Sequence, residues 1–277
     1  MIKVEDTFAE AFPMKVSRLI ITAYNDIWAF NAANSFCGFA TSVIACGCEA
    51  GIESKLLPNQ TPDGRPGVSV LVFSMSSKEL AKQILNRTGQ CLMTSPTSAV
   101  FSGNSGEKKI PLGNSLRYFG DGYQIAKMLG NRRFWRIPVM DGEFLCEDFA
   151  YQMEGIGGGN FLILGENIKS VLYAAELAVK KMNKLENIIL PFPGGIVRSG
   201  SKVGSKYKGL IASTNFDYCP NLRTIVNSKL NRKINCVLEI VIDGINKQDI
   251  ELAMKLGITE IIKSKKTKGV ERISAGN

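Results

Sequence analysis

Residues 191–208 read Pro-Phe-Pro-Gly-Gly-Ile-Val-Arg-Ser-Gly-Ser-Lys-Val-Gly-Ser-Lys-Tyr-Lys, a stretch that joins backbone freedom to a dense set of cations and hydroxyls. Gly194, Gly195, Gly200 and Gly204 let a ligand approach the main chain, Arg198, Lys202, Lys206 and Lys208 supply charge, and Ser199, Ser201 and Ser205 supply hydrogen bonds. Such a loop suits an anionic ligand. A solvated surface loop has the same composition, but Pro191 and Pro193 stiffen the entry to this one. The Walker spacing of an ordinary nucleotide loop is absent.

A second chemical candidate is Glu239, a carboxylate inside Cys-Val-Leu-Glu-Ile-Val-Ile-Asp (236–243). Strand alternation puts it on the face shared by Val237, Val241 and Asp243. If that face is covered, desolvation raises its proton affinity and makes it an acid or base near neutral pH; if open, it is a solvated side chain. In Thr-Pro-Asp-Gly-Arg-Pro-Gly (61–67), two prolines bracket a turn from whose rigid tip Asp63 and Arg65 are expected to project. The run Gly-Ile-Gly-Gly-Gly-Asn (155–160) leads into a strand, not a helix, which argues against a dinucleotide fingerprint and leaves close packing or a ligand's approach.

Histidine is absent from the 277 residues, which removes imidazole-based serine or cysteine catalysis, histidine-ligated zinc and phosphohistidine chemistry. Acid–base work falls to Glu, Asp, Lys, Tyr or Cys. The seven cysteines are an odd number scattered through apolar segments, the pattern of reduced, packed thiols; the Cys46/Cys48 pair lacks a second pair, so no metal site is expected. A net charge of +9 favours anionic partners. No apolar run approaches the about 18 residues of a spanning helix and no leader is evident, so the expectation is a cytoplasmic protein without membrane attachment. Nucleic acid is not the expected partner, because no aromatic-rich RNA-binding strand is present.

The elements that must position these residues repeat. Residues 18–23 read as a strand, 26–36 as a helix, 41–46 as a strand, 68–73 as a strand, 77–87 as a helix capped by Ser76 or Ser77, and 90–93 as a strand. The later half gives strand 160–164, helix 167–182, strand 187–190, strand 236–242, helix 247–256 and a strand near 269–274. This predicts an α+β fold: two ferredoxin-like sandwich lobes related by internal duplication, residues 1–150 and 151–277, with an antiparallel segment inserted over 116–148.

Segments in order along the whole chain resemble the formylmethanofuran:tetrahydromethanopterin formyltransferase family of methanogenic archaea and methylotrophic bacteria. They include Asp-Thr-Phe-Ala-Glu-Ala-Phe (6–12), the 61–68 turn, Gly-Gln-Cys (89–91), Phe-Gly-Asp-Gly-Tyr-Gln (119–124), Pro-Phe-Pro-Gly-Gly-Ile-Val (191–197), Ser-Lys-Val-Gly-Ser-Lys (201–206), Glu-Ile-Val-Ile (239–242) and Ser-Ala-Gly-Asn (274–277). The resemblance implies formyl transfer from methanofuran to a ring nitrogen of tetrahydromethanopterin, both carriers being substrates, with no permanently bound cofactor and no metal. It implies Glu239 as the acid–base residue and Asp63, Arg65, Gln90, Gly194, Gly195, Ser201, Lys202, Ser205 and Lys206 as substrate-binding. It also implies a homo-oligomer, dimer or tetramer. The alternative is a non-catalytic carrier-binding or scaffolding subunit of a formyltransferase/hydrolase complex. Family members continue beyond Ser-Ala-Gly-Asn into a closing strand, so the second lobe is expected to end on a bare sheet edge or to rely on a neighbour to cover it.

Overall fold

The computed structural model of this chain describes residues 2–275; Gly276 and Asn277, the end of the Ser-Ala-Gly-Asn match, lie outside the described residues. The chain is mixed α/β and divides into two compact units, one of residues 13–156, the other of residues up to Phe12 together with those from Gly157 onward. A two-residue strand, β1 (Lys3–Val4), thus belongs with the later unit.

In the 13–156 unit the order is β2 (Phe12–Thr22), α1 (Asp26–Cys37), a single helical turn α2 (Val43–Cys46), β3 (Glu49–Leu56), β4 (Gly67–Ser74), α3 (Ser77–Arg87) and β5 (Ala99–Ser102). These strands lie in the order β5-β2-β4-β3, each pair antiparallel. Leu19 and Ile21 of β2, Val68, Val70 and Val72 of β4 and Val100 of β5 form one core with Ala29, Ala33 and Phe36 of α1 and Leu80 and Ile84 of α3. Asn25 and Ser76 cap the two helices, each accepting a main-chain N–H three residues on. Then come β6 (Lys109–Pro111), the turn α4 (Gly113–Leu116), β7 (Ile125–Leu129), β8 (Arg132–Val139), β9 (Gly142–Glu147) and β10 (Phe149–Tyr151). Strands β7, β8 and β9 form an antiparallel meander, and β9 pairs in parallel with β5.

Two expected strands are helical. Residues 41–46 turn into α2 because the Ser42 hydroxyl accepts the Ile44 N–H and Gly47, at φ 74°, closes the turn in the left-handed region. Residues 90–93 extend the helical path of α3 through a wide turn in which Met93 N–H donates to Thr88 O, a course that buries Leu92. The strands that complete the sheet are β3 and β5 instead.

The later unit runs from β11 (Met153–Gly165), inside which the division falls, through α5 (Ile168–Met182), β12 (Ile188–Ile189), the hairpin β13 (Ser201–Val203) and β14 (Ala212–Thr214), β15 (Cys236–Gly244), α6 (Lys247–Lys263) and β16 (Val270–Ser274). Its strand order is β16-β11-β15-β12. The expected bare edge at β16 is instead occupied: β1 pairs with it in parallel, Glu5 N–H donates to Ile273 O, and Arg272 reaches Glu5 at 3.2 Å. Among the described residues no helix is long and apolar enough to cross a membrane.

Strand β3 carries a carboxylate that its sheet must neutralise. Glu53, at an irregularity in the β3–β4 register, is 3% exposed, receives the Arg18 guanidinium through Nε (2.8 Å) and Nη2 (2.6 Å), and accepts the Ser69 hydroxyl at 2.6 Å. Removing one partner of a buried pair strands the other charge, so Arg18→Met should lower the unfolding free energy by about 3–5 kcal/mol in a urea titration, with the Arg18→Met/Glu53→Leu double variant recovering most of it. Equal losses in the single and double variants would contradict this.

Candidate active site

Strand β15 lies between β11 and β12, so its side chains are committed to two faces. Leu238, Ile240 and Ile242 are buried on one; Val237, Glu239 and Val241 are half-buried on the other. Asp243, expected to share the setting of Glu239, is fully buried and accepts the Gly158 N–H at 3.2 Å.

The face of Glu239 is covered by the segment that connects β12 to β15. Tyr218, Leu230 and Ile234 of that segment pack with Leu162 and Leu164 of β11, and Val237 joins them. At its start, Val197 makes a two-bond antiparallel bridge to Glu239: Val197 N–H donates to Glu239 O at 2.8 Å, and Glu239 N–H to Val197 O at 2.9 Å. What remains is a recess of about 40 Å³ beside the carboxyl, walled by Arg198, Ser199, Gly200, Asn215 and Cys219. Burial pushes the Glu239 carboxyl above its ordinary value of 4.5, opposed by a hydrogen bond that Asn160 Nδ2 donates to Oε1 at 3.1 Å. A carboxyl so placed can hold or release a proton.

The Gly-rich loop divides in function. Gly194 is exposed at φ 63° with open space around it, whereas Gly195 is buried at φ 75°, its N–H already donated to Phe192 O at 2.8 Å. A Cβ on Gly195 would sit 3.0 Å from Leu190 and 3.1 Å from Val179, so packing as well as backbone conformation requires glycine there. Ser201 and Lys202 lie in β13, and Lys202 Nζ stands 3.4 Å over the Phe216 ring. Ser205 and Lys206 are in the hairpin's connection, where the Ser205 hydroxyl accepts the Tyr207 N–H and Lys206 is exposed.

In the other unit, Asp63 and Arg65 do not project. Asp63 Oδ2 accepts from Thr22 Oγ1 and Arg65 Nε, both at 2.7 Å, and Arg65 extends Nη1 to Thr97 O at 2.6 Å and Nη2 to Thr22 Oγ1 at 3.0 Å. The turn is therefore stitched to the end of β2 and to the Thr97 bend. Thr97 N–H in turn donates to Asp141 Oδ2 at 2.7 Å, and Asp141, with exposed Gln90 and with Phe119, lines a cleft of about 980 Å³ in the same unit. Its other walls are largely apolar, Met93, Leu116 and Met140 among them. Among the described residues no group of three or more Cys, Asp or Glu gathers as a metal-binding set. Desolvation pushes the thiols of half-buried Cys37 and buried Cys48 up to about 12 and about 11.

Asn160, Asn215 and Cys219, which lie beside Glu239, are not among the site residues singled out from the sequence. For Asn160 the signal was present: it is the one polar side chain between three glycines and the apolar run Phe161-Leu-Ile-Leu164.

Residues 1–139 match a family described as formylmethanofuran-tetrahydromethanopterin formyltransferase, and residues 142–277 match the proximal lobe of the same family. The formylmethanofuran–tetrahydromethanopterin formyltransferase of Methylococcus capsulatus is 56% identical over 276 residues, covering 100% of this chain and 93% of that relative. The solved formyltransferase of Methanosarcina barkeri is 46% identical with a TM-score of 0.93, covering 100% of this chain and 93% of that one. A chain in the crystal structure of the formyltransferase/hydrolase complex of Methylorubrum extorquens with methylofuran is 48% identical with a TM-score of 0.95, covering 100% and 92%.

The burial of Glu239 has a consequence that needs no substrate. A carboxyl whose folded proton affinity exceeds its unfolded one adds stability below the unfolded value of 4.5, and that contribution is lost as pH rises through the higher folded value. Glu239→Gln should therefore melt above wild type at pH 7, with the gap closing as pH falls below 4.5. Thermal melts from pH 4 to pH 8, read by circular dichroism, check this; a gap independent of pH would mean that the carboxyl is solvated.

Proposed function

Because the chain belongs to the formylmethanofuran–tetrahydromethanopterin formyltransferase family, we infer that it is an acyltransferase that moves a formyl group from formylmethanofuran to N5 of a tetrahydromethanopterin-type carrier. The carrying observation is that the match runs from end to end at 56% identity, over a chain in which Glu239 occupies a half-buried, hydrogen-bonded setting. Both carriers are substrates, and no permanently bound cofactor enters.

The acceptor nitrogen attacks the formyl carbon, a C–N bond forms, and the carbonyl electron pair moves to oxygen. The attacking nitrogen loses its proton to the Glu239 carboxylate. The intermediate then collapses: the oxygen's electron pair re-forms the carbonyl, the C–N bond to the donor breaks, and Glu239 returns the proton to the departing amine nitrogen. One carboxyl does the work that imidazole does elsewhere, which suits a chain without histidine. Substrate contacts are assigned to Gln90, the open Gly194 main chain, Ser201 and Ser205, with Lys202 and Lys206 meeting carrier anions. Gly195, Asp63 and Arg65 act through the loops they hold. Positioning of bound carriers supplies much of the acceleration.

Each unit is read as a ferredoxin-like lobe related to the other by duplication. The support is the shared β-α-β-β-α-β order, β2-α1-β3-β4-α3-β5 and β11-α5-β12-β15-α6-β16, and the shared first-strand-inside arrangement β5-β2-β4-β3 and β16-β11-β15-β12. The protein is further proposed to be cytoplasmic and to act as a homo-oligomer. The relative in the Methylorubrum complex raises a second reading, in which this chain is the transferase component of a larger assembly.

Purified protein should transfer formyl from formylmethanofuran to tetrahydromethanopterin in the presence of a chelator, followed by absorbance. Glu239→Gln should lower kcat by about 10²-fold or more with KM nearly unchanged; full activity in that variant would remove Glu239 from the proton path. Lys206→Ala should raise KM, with a penalty that shrinks as salt increases, since screening weakens an exposed charge contact. A salt-independent loss of kcat would instead give Lys206 a part in the chemistry.

A further inference from the structure

The glycine run that ends at Asn160 has a role beyond packing. Strand β11 reaches Glu239 only after a stretch in which side chains are excluded. Gly158 sits at φ 87°, where a Cβ would lie 2.6 Å from the Phe12 ring, and its N–H is donated to the buried Asp243 carboxylate. A Cβ on Gly159 would lie 2.4 Å from Ile250 of α6. The main chain is thus fixed from two sides immediately before residue 160. There, in place of the apolar side chains that follow, Asn160 presents its amide to β15 and donates to Glu239 Oε1.

We propose that Asn160 is the positioning residue for proton transfer: its amide ties Oε1 of Glu239, so that Oε2 is the oxygen that takes the proton from the attacking nitrogen and returns it to the leaving one. This rests on the reading of Glu239 as the proton carrier. An amide N–H suits the task because it donates without exchanging a proton, so the tie holds whether Oε2 is charged or protonated. A carboxyl anchored at one oxygen loses its freedom to rotate, and the proton-bearing atom stays on one side. The remaining titratable and charged groups around Glu239 are Arg198, Tyr218 and Cys219 on the covering segment and Cys236 and Asp243 on β15 itself. Residues 157–165 of β11 and β12 bring none.

The test compares Asn160→Leu, Asn160→Asp and Asn160→Ser with wild type and Glu239→Gln, each checked for folding by circular dichroism. Asn160→Leu keeps the volume and removes the donor; Asn160→Asp keeps the shape and replaces the donor by an acceptor; Asn160→Ser restores a shorter donor. For Asn160→Leu the expected result is a kcat lower by about 10-fold at nearly unchanged KM, the size of one hydrogen bond to a charged group. Because the amide favours the carboxylate form, its loss should move the acidic limb of the kcat profile to higher pH, further for Asp and less for Ser. A ¹³C NMR titration of the Glu239 carboxyl reads the same displacement without turnover. If Glu239→Gln is inactive but the Leu and Asp variants keep the wild-type acidic limb and titration, the positioning role is overturned while Glu239 keeps its own. If Glu239→Gln is fully active, the proton-carrier reading fails and the positioning role falls with it, even though the NMR displacement would still show the tie to Oε1.

Discussion

The proposed site depends on one constraint: a carboxyl must be held partly dry on the face of the sheet that the helices do not cover. Leu238, Ile240 and Ile242 claim the opposite face of β15 for the core, and alternation leaves Glu239 no other direction. A sheet face turned away from its helices is normally wet, and a wet glutamate is ionised and inert as an acid near neutral pH. The segment from Val197 to Ile234 changes that. By laying Tyr218, Leu230 and Ile234 against Leu162, Leu164 and Val237 and pinning Val197 to the main chain of Glu239, it closes the face down to a small recess. Loop and strand are therefore parts of one device: the segment keeps the carboxyl partly dry, and the strand fixes the direction in which it points.

What sequence made legible follows from that distinction. Helix α3 and its Ser76 cap, helix α1 and most of β15 were readable because periodicity and capping act over neighbouring residues. The errors arose where distant groups decide. Residues 41–46 have the β-branched content of a strand, yet Glu49 Oε1 accepts the Val43 N–H from beyond the turn and Gly47 closes it. Strand β3 was hidden because Glu49, Glu53 and Lys55 resemble a solvated stretch, and only the Arg18 guanidinium from another strand explains a buried Glu53. Asp63 and Arg65 looked like a protruding tip for the same reason: Thr22 and Thr97, which draw them inward, lie about 30 to 40 residues away.

Glu239 itself was legible as a chemical oddity, a carboxylate inside an apolar strand, but its burial was not. A strand pattern records which residues share a face, not whether anything covers that face. The covering segment has few regular elements, and its apolar anchors are spaced without helix or strand period, so no local signal connects Tyr218 or Leu230 to β15. Its glycines misled in a complementary way. Composition suggested a uniform cradle for anions, whereas Gly195 is there because Val179 and Leu190 leave no room for a side chain, and Gly194 alone of the pair has an open approach.

The same division explains why a glycine run belongs in a strand whose neighbours are so apolar. The missing Cβ atoms at 158 and 159 admit groups from outside the strand: the Phe12 ring against Gly158, and Ile250 of α6 against Gly159. Glycine inside a strand costs conformational entropy and forfeits packing of its own, so this arrangement holds only if the intruding groups return more than is lost. What they return is placement. With Ile250 of α6 seated against Gly159, the backbone of β11 is packed against a helix one residue before the side chain that donates to Glu239. The hydrogen bond on one face of the sheet therefore starts from main chain that the other face holds close.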